Sequence, residues 1–374
     1  MSSPSTPLGD RTRIDVRSIE HELTDLWKQV TESPDREEGR AVTRVCVMNL
    51  VVGVLGDRTA DYATQVIAEL MMRHPNRSIL VNATPDSSDE LFDAWAQAHC
   101  QVPVPGRPQV CGEQITIEAH GSAVARAPGL VLSLLVPDVP VMLWWPRGDP
   151  FGVPWFDKLS STADRVVIDS ATFASPEDGL IHINALLNSK RVVSDLSWGR
   201  LTPWRELIAQ FFDAPAMTPY LDEIERVIVL YEVPYGEGID RSQALLLVGW
   251  LVSRLGWSLS GMPSETDGLT TLSMTRRDGA RITIELRPTE PKDNFLDRIA
   301  AIRLECADRR FYISRGDTPE FAVARAEVSG RPPLQRVVRL EHLTEINLIS
   351  EELRLLGRDR GFEGALRVAA GMVK

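Results

Sequence analysis

Cysteine is scarce. Four occur in 374 residues (Cys46, Cys100, Cys111 and Cys306), and no two share Cys-x-x-Cys spacing. That excludes a zinc ribbon and a thioredoxin-like motif. His99, Cys100, Cys111 and His120 lie close along the chain, but their spacing matches no common zinc pattern. Strand cysteines such as Cys46 are expected to pack as small apolar residues. Histidine is thin as well, with six copies scattered and no catalytic grouping. Positive charge is in deficit: 41 Lys and Arg against 52 Asp and Glu leave a net charge of −11. No basic stripe with interleaved aromatics offsets this, which argues against a nucleic-acid partner. The longest apolar run, Ala244 to Val252, falls well short of the ~20 residues that span a bilayer. Met1 to Asp10 is polar and has no signal-peptide core, so a cytoplasmic protein is expected and a membrane partner is not.

Catalytic signatures are missing too. Gly53-Val54-Leu55-Gly56-Asp57-Arg58 stands where a dinucleotide fold places its phosphate loop, between a strand and a helix. It reads G-x-x-G rather than G-x-G-x-x-G, and no G-K-S/T or G-x-S-x-G occurs. Glu113, Glu118, Asp149, Asp157, Asp164 and Asp169 are the acid–base candidates, but none is paired at glycosidase or metal-site spacing. No catalytic, cofactor-binding or metal-binding residue is therefore assigned. The rival reading is a nucleotide- or sugar-phosphate-binding enzyme or sensor using Gly53 to Arg58.

What is present is an alternation of elements. An amphipathic helix over 14–30 follows a disordered start (1–12), and a charged linker (31–39) comes next. Strands are expected over 43–54, 78–83, 114–119, 141–145 and 165–169. Helices are expected over 58–74 (capped by Asp57), from Ser88 or Asp89 to Ala98, and over 123–135, with a short helix or turn at 155–161. This alternation predicts an α/β, Rossmann-like, largely parallel sheet over 40–195.

The pattern then changes. A helix over 202–212, with Thr202 as N-cap, leads to a strand over 224–231. Asp240 caps a very apolar helix over 241–255, which Gly256 closes, and Gly249 within it would admit a close neighbour. Asp278-Gly279 marks a hairpin, and short strands continue through 298–306, 309–314 and 321–328. A helix over 342–356 ends the pattern. Residues 196–374 are thus expected to form an α+β domain with a mostly antiparallel sheet, after a start, helix and linker over 1–39.

Nine tryptophans are a high count for a chain only 6% aromatic. Pro137 to Pro150 carries two of them side by side. Trp144 and Trp145 end an apolar strand, and neighbours on a strand point to opposite faces. One should fill the core; the other, with Arg147, should reach a partner. Arg147-Gly148-Asp149 recurs as Arg315-Gly316-Asp317, again after a strand, which favours turn composition over an adhesion code. Trp144, Trp145, Arg147, Asp149 and Trp155 are the partner-binding candidates.

Four segments carry a resemblance. They are Cys111 to Ile117, the run from Leu134 through Pro-Asp-x-Pro-Val-x-Leu-Trp-Trp to Trp145, Ala163-Asp164-Arg165-Val166-Val167-Ile168-Asp169-Ser170, and Gly249 to Trp257. In this order they resemble the OpcA family of glucose-6-phosphate dehydrogenase assembly proteins, over about residues 40–360. The resemblance implies a non-enzymatic assembly factor and allosteric activator of that dehydrogenase, at the entry of the oxidative pentose phosphate pathway, with no cofactor of its own. Photosynthetic members are associated with redox control through cysteines towards the C-terminus. Here no cysteine follows Cys306, so that control is not expected.

Overall fold

The computed structural model describes residues 19–32, 42–100, 109–189, 191–233, 240–291, 296–316, 318, 320–330, 332–340, 343–355 and 357–373. The expectations for 1–12, most of the 31–39 linker, and Asp317 fall outside these residues. The chain divides into two compact units. The first comprises Met1–Asp169, Arg191–Ser194 and Ile349–Gly357; the second comprises Ser170–Lys190, Asp195–Leu348 and Arg358–Lys374.

The first unit is built on an eight-stranded sheet. Its strands are β1 (Val42–Arg44), β2 (Asn49–Leu55), β3 (Arg77–Thr84), β4 (Leu91–Cys100), β5 (Gln109–His120), β6 (Val141–Trp144), β7 (Arg165–Ile168) and β8 (Val193–Asp195). They lie in the order β1-β5-β3-β2-β6-β7-β8, with β4 paired antiparallel to β5. Apart from β1 and β4, this is the doubly wound order 3-2-1-4-5-6, so the Rossmann-like expectation holds. Both faces of β2, β3 and β7 are buried, as a parallel sheet between helices requires. The helices are α1 (Ile19–Glu32), α2 (Asp57–Arg73), α3 (Ala127–Leu134, after a 3-10 turn from Gly121) and α4 (Pro154–Ser160).

Three local expectations are corrected. The helix placed over 88–98 is strand β4: Ala94, Ala96 and Ala98 are buried on one face, and pairing with β5 overrides the weak strand propensity of alanine. The single strand over 43–54 is two, with Cys46 half-buried in the connection rather than on a strand. Asp57 does not cap α2. Gly56, at φ +86°, holds the cap position, and the Asp57 carboxylate accepts from Asn82 Nδ2 at 2.8 Å.

The second unit begins with α5 (Pro176–Asn188), α6 (Leu196–Arg200) and α7 (Thr202–Gln210), where Leu201 rather than Thr202 is the N-cap. Its sheet contains β9 (Ile224–Glu232), β10 (Ser258–Leu259), β11 (Ser264–Thr266), β12 (Leu269–Thr275), β13 (Arg281–Thr289), β14 (Ile299–Cys306), β15 (Arg309–Arg315), β16 (Phe321–Val328) and β17 (Leu334–Arg339). The order is β10-β12-β13-β9-β14-β15-β16-β17, with β11 beside β12. Only the β13–β9 pair is parallel, so this sheet is mostly antiparallel, as expected. Helix α8 (Ser242–Leu255) is buried nearly all round and stops at Gly256 in the left-handed region, φ +67°. The neighbour that Gly249 admits is α10 (Arg360–Val373): a Cβ there would lie 2.3 Å from the Ala365 carbonyl oxygen. Helix α10 has no counterpart in the sequence reading, and the expected C-terminal helix is the shorter α9 (Glu345–Arg354).

Candidate functional site

In a doubly wound sheet, ligands bind where the strand order reverses, outside the carboxyl ends of the strands. Here that point lies between β2 and β6. Gly53 and Leu55 end one strand, and Trp144 and Trp145 end the other. The Trp145 backbone N–H donates to the Val167 carbonyl at 2.9 Å and so extends the pairing of β6 with β7, while its indole lies against Gly53 of β2. A Cβ added at Gly53 would meet Trp145 Cε3 at 2.6 Å and Trp155 Cη2 at 2.8 Å. Only hydrogen fits there, so the glycine admits an indole where a dinucleotide fold admits a pyrophosphate.

An aromatic cluster closes the crevice. Trp145 stacks at a tilt on Trp155, with centroids 4.9 Å apart, and meets the edge of Phe156 at 5.4 Å. Phe156 in turn meets Phe151 at 6.0 Å. The start of α2 would favour an anion, but Asp57 already places a carboxylate in its first turn. The indole N–H groups of Trp144, Trp145 and Trp155 are buried and have no acceptor among the described residues. Each such group costs about 1–3 kcal/mol. Shape rather than hydrogen bonding therefore holds this cluster together.

The expectation that one tryptophan is solvent-facing needs correction. Trp144, Trp145 and Trp155 are 0%, 1% and 4% exposed, because the opposite faces of a parallel sheet are both covered. Arg147 and Asp149 keep partial exposure. The Arg147 guanidinium lies 4.5 Å over the Tyr62 ring of α2 and donates to the Pro146 carbonyl at 2.8 Å. Asp149 accepts from the Phe151 N–H at 2.7 Å, and Gly148 and Gly152, both at positive φ, turn the loop. The sequence reading did not single out Tyr62, Phe151 or Phe156, and their spacing gives no signal of this meeting.

Among the other acid–base candidates, Glu113, Glu118 and Asp164 have structural partners, and Asp157 is exposed on α4. Glu113 is buried and accepts from Arg77 Nε and from Trp27 Nε1, the latter at 2.8 Å. Asp164 caps β6 through the Val141 N–H at 2.8 Å, and Glu118 lies 3.2 Å from His120. Cys100 and Cys111, directly opposed on β4 and β5, form a disulfide. With both thiols spent, His99 hydrogen-bonds Gln114 at 3.0 Å, and burial lowers its pKa. No group of three or more metal-type ligands occurs among the described residues.

In the second unit, Arg241 is saturated by Glu177 (2.8 and 2.9 Å), Thr270 (2.7 Å) and Glu265 (3.1 Å). Half-buried Asp240, its pKa raised by desolvation, accepts from the Ser242 N–H at 2.9 Å, so it acts at the start of α8 although Arg241 holds the cap position. This cluster fixes the helix and leaves no arginine donor fork for a ligand.

Two family models match the chain one after the other. Residues 67–185 match the glucose-6-phosphate dehydrogenase subunit N-terminal domain, and residues 191–366 match the C-terminal domain. It is 28% identical over 320 residues to a protein of Nostoc punctiforme named OxPP cycle protein OpcA, covering 83% of this chain and 68% of that one. Proteins of the same name from Synechocystis and Synechococcus elongatus are 32% identical over 186 residues and 26% over 296. Those matches cover 50% and 75% of this chain but only 38% and 64% of the relatives. Among solved structures, a 3-ketoreductase from Actinomadura kijaniata superposes with a TM-score of 0.49 at 11% identity, covering 88% of this chain and 96% of that one. That likeness is too distant to speak to substrate or activity. No helix among the described residues is long and apolar enough to cross a membrane.

Proposed function

The chain belongs to the OpcA family, and from that premise we propose that it is a non-enzymatic assembly factor and allosteric activator of glucose-6-phosphate dehydrogenase. One observation supports this above the rest: Trp145 and Trp155 fill the crevice over Gly53 where a doubly wound fold would hold its ligand. The rival, a nucleotide or sugar phosphate bound at Gly53 to Arg58, would require Trp145 to leave that crevice and a phosphate to approach Asp57. An assembly factor needs surfaces rather than a pocket. Arg147 and Asp149, the two candidates that keep exposure, are proposed as partner contacts of the first unit.

Activation follows if the protein binds the active conformer or oligomer of the dehydrogenase more tightly than the inactive one. A coupling of ~1–3 kcal/mol would change the apparent substrate affinity about 5- to 150-fold. The experiment mixes the purified protein with the dehydrogenase of the same organism. Co-elution on size exclusion and a lower KM for glucose 6-phosphate are expected. No complex at micromolar concentrations, with unchanged kinetics, refutes the reading. Complex formation with unchanged KM reduces it to a scaffold. A thermal shift with NADP or glucose 6-phosphate, without effect on the dehydrogenase, would favour the rival.

A further inference from the structure

The sheet of the second unit has two unlike faces. On one, Val227, Val229, Ile284, Ile302, Phe311 and Ile313 are at most 1% exposed and form the core. The register places the intervening residues together on the other face. Arg226 lies beside Thr283, Ile228 beside Glu285, Arg303 opposite Tyr312, Arg310 opposite Glu327, and Val323 opposite Val337.

This second face inverts the charge of the molecule. Arg226, Arg287, Arg303, Arg310 and Arg325 have side chains 36–57% exposed. Three glutamates stand among them, each shared: Glu285 between Arg226 and Arg287, Glu305 among Arg226, Arg303 and Arg310, and Glu327 between Arg310 and Arg325. Arg281 and Arg339 add to the surplus at its two ends. A chain of net charge −11 thus collects an excess of arginine on one face of a sheet. Apolar groups lie on the same face: Val337 and Phe321 are 66% and 44% exposed, in register with Val323 and Arg339.

We infer that this open sheet face is a docking surface for an acidic protein surface, that of the partner enzyme. The inference rests on the assembly-factor reading above. Three arguments choose the occupant. The first is area: from β12 to β17 seven strands present about 30 Å by about 20 Å, or ~600 Å2, against ~800 Å2 per partner in a standard interface. The second is charge. A second copy seated face to face would set an arginine surplus against itself, whereas an acidic surface neutralises it. The third is the mixture. Nucleic acid would bring phosphates against Glu285, Glu305 and Glu327 and would leave Val337 and Phe321 in water. A protein surface can meet both the charges and the apolar groups.

The test has two stages. The full-length protein is first titrated against the dehydrogenase of the same organism, at low and high salt. Binding that weakens with salt is expected. No binding at all overturns the assembly reading, and this surface with it. Given binding, the Arg303→Glu, Arg325→Glu double variant is compared, with folding checked by circular dichroism. Kd should weaken by about 30-fold or more, as for hot-spot positions. Val337→Asp, at an exposed position on the outer strand β17, serves if the double variant misfolds, and the same loss is expected. An unchanged Kd in a folded variant overturns the docking surface alone. So does retention on duplex DNA that these substitutions abolish, or a wild-type dimer that they dissociate.

Discussion

Replacing Gly249 by Ala tests the tightest packing in the second unit. An ordinary exposed helix would gain about 1 kcal/mol from this change, since glycine is a poor helix former. At Gly249 the added methyl would stand 2.3 Å from the Ala365 carbonyl oxygen, 3.1 Å from its carbon and 3.3 Å from the Ala369 nitrogen. These are backbone atoms of α10, so no rotamer change relieves the clash, and one helix must move by about 1 Å to reach ordinary contact. Overpacking of this kind costs about 1–3 kcal/mol, and the upper half of that range applies when backbone is struck. The net expectation is about 1–2 kcal/mol of destabilisation, or ~2–8 °C in Tm for a unit of this size. Thermal and urea unfolding, followed by tryptophan fluorescence, would read it, because Trp250 adjoins the site. Gly371→Ala on α10 is the control. Nothing lies within 4 Å of its added methyl, so it should be neutral or slightly stabilising. A Gly249→Ala protein as stable as its parent would refute the backbone-contact account.

Gly53→Ala should destabilise the first unit by about 1–3 kcal/mol, because two indole rings occupy the space of the methyl. Pairing it with Trp145→Phe should recover part of the loss, and strict additivity would argue against direct contact. Thiol counting with a disulfide reagent at pH 8 should find Cys46 alone in the native state. Burial pushes the Cys306 thiol up to about 12, so it should react only in denaturant, and all four thiols should appear after reduction. Rapid native labelling of two thiols would contradict this. Burial also pushes Tyr231 up to about 12, helped by Glu177 and Glu265 and opposed by Arg241. The folded state therefore holds that proton more tightly than the unfolded chain, whose tyrosine titrates near 10. This contribution is complete below pH 10 and is lost as pH rises towards 12, amounting to ~3 kcal/mol. Tyr231→Phe should flatten that part of the stability profile, and an unchanged alkaline slope would show that Tyr231 does not carry it.

Much of the outline is local in origin and was readable as such. Asp278-Gly279 makes its hairpin, with Gly279 at φ +87°, because few other residues accept that backbone. Helix α8 ends at Gly256 for the same reason, and alternating elements gave the parallel sheet of the first unit. Strand β4 escaped because Leu91-Phe92-Asp93-Ala94-Trp95-Ala96 is a fair helix by propensity, and only its partner β5 makes it a strand. Trp144 and Trp145 stand out in the sequence, but covering both faces of a sheet depends on helices distant in sequence.

The sequence by itself determined most element types, the hairpin and helix-stop turns at Gly279 and Gly256, and the family, because these rest on neighbouring residues and on motif order. Only the tertiary structure decided that Gly53 faces two indoles, that Cys100 meets Cys111, and that the arginines of six strands share one face. Each of those depends on register, where a shift of one residue would turn every side chain to the other side of the sheet.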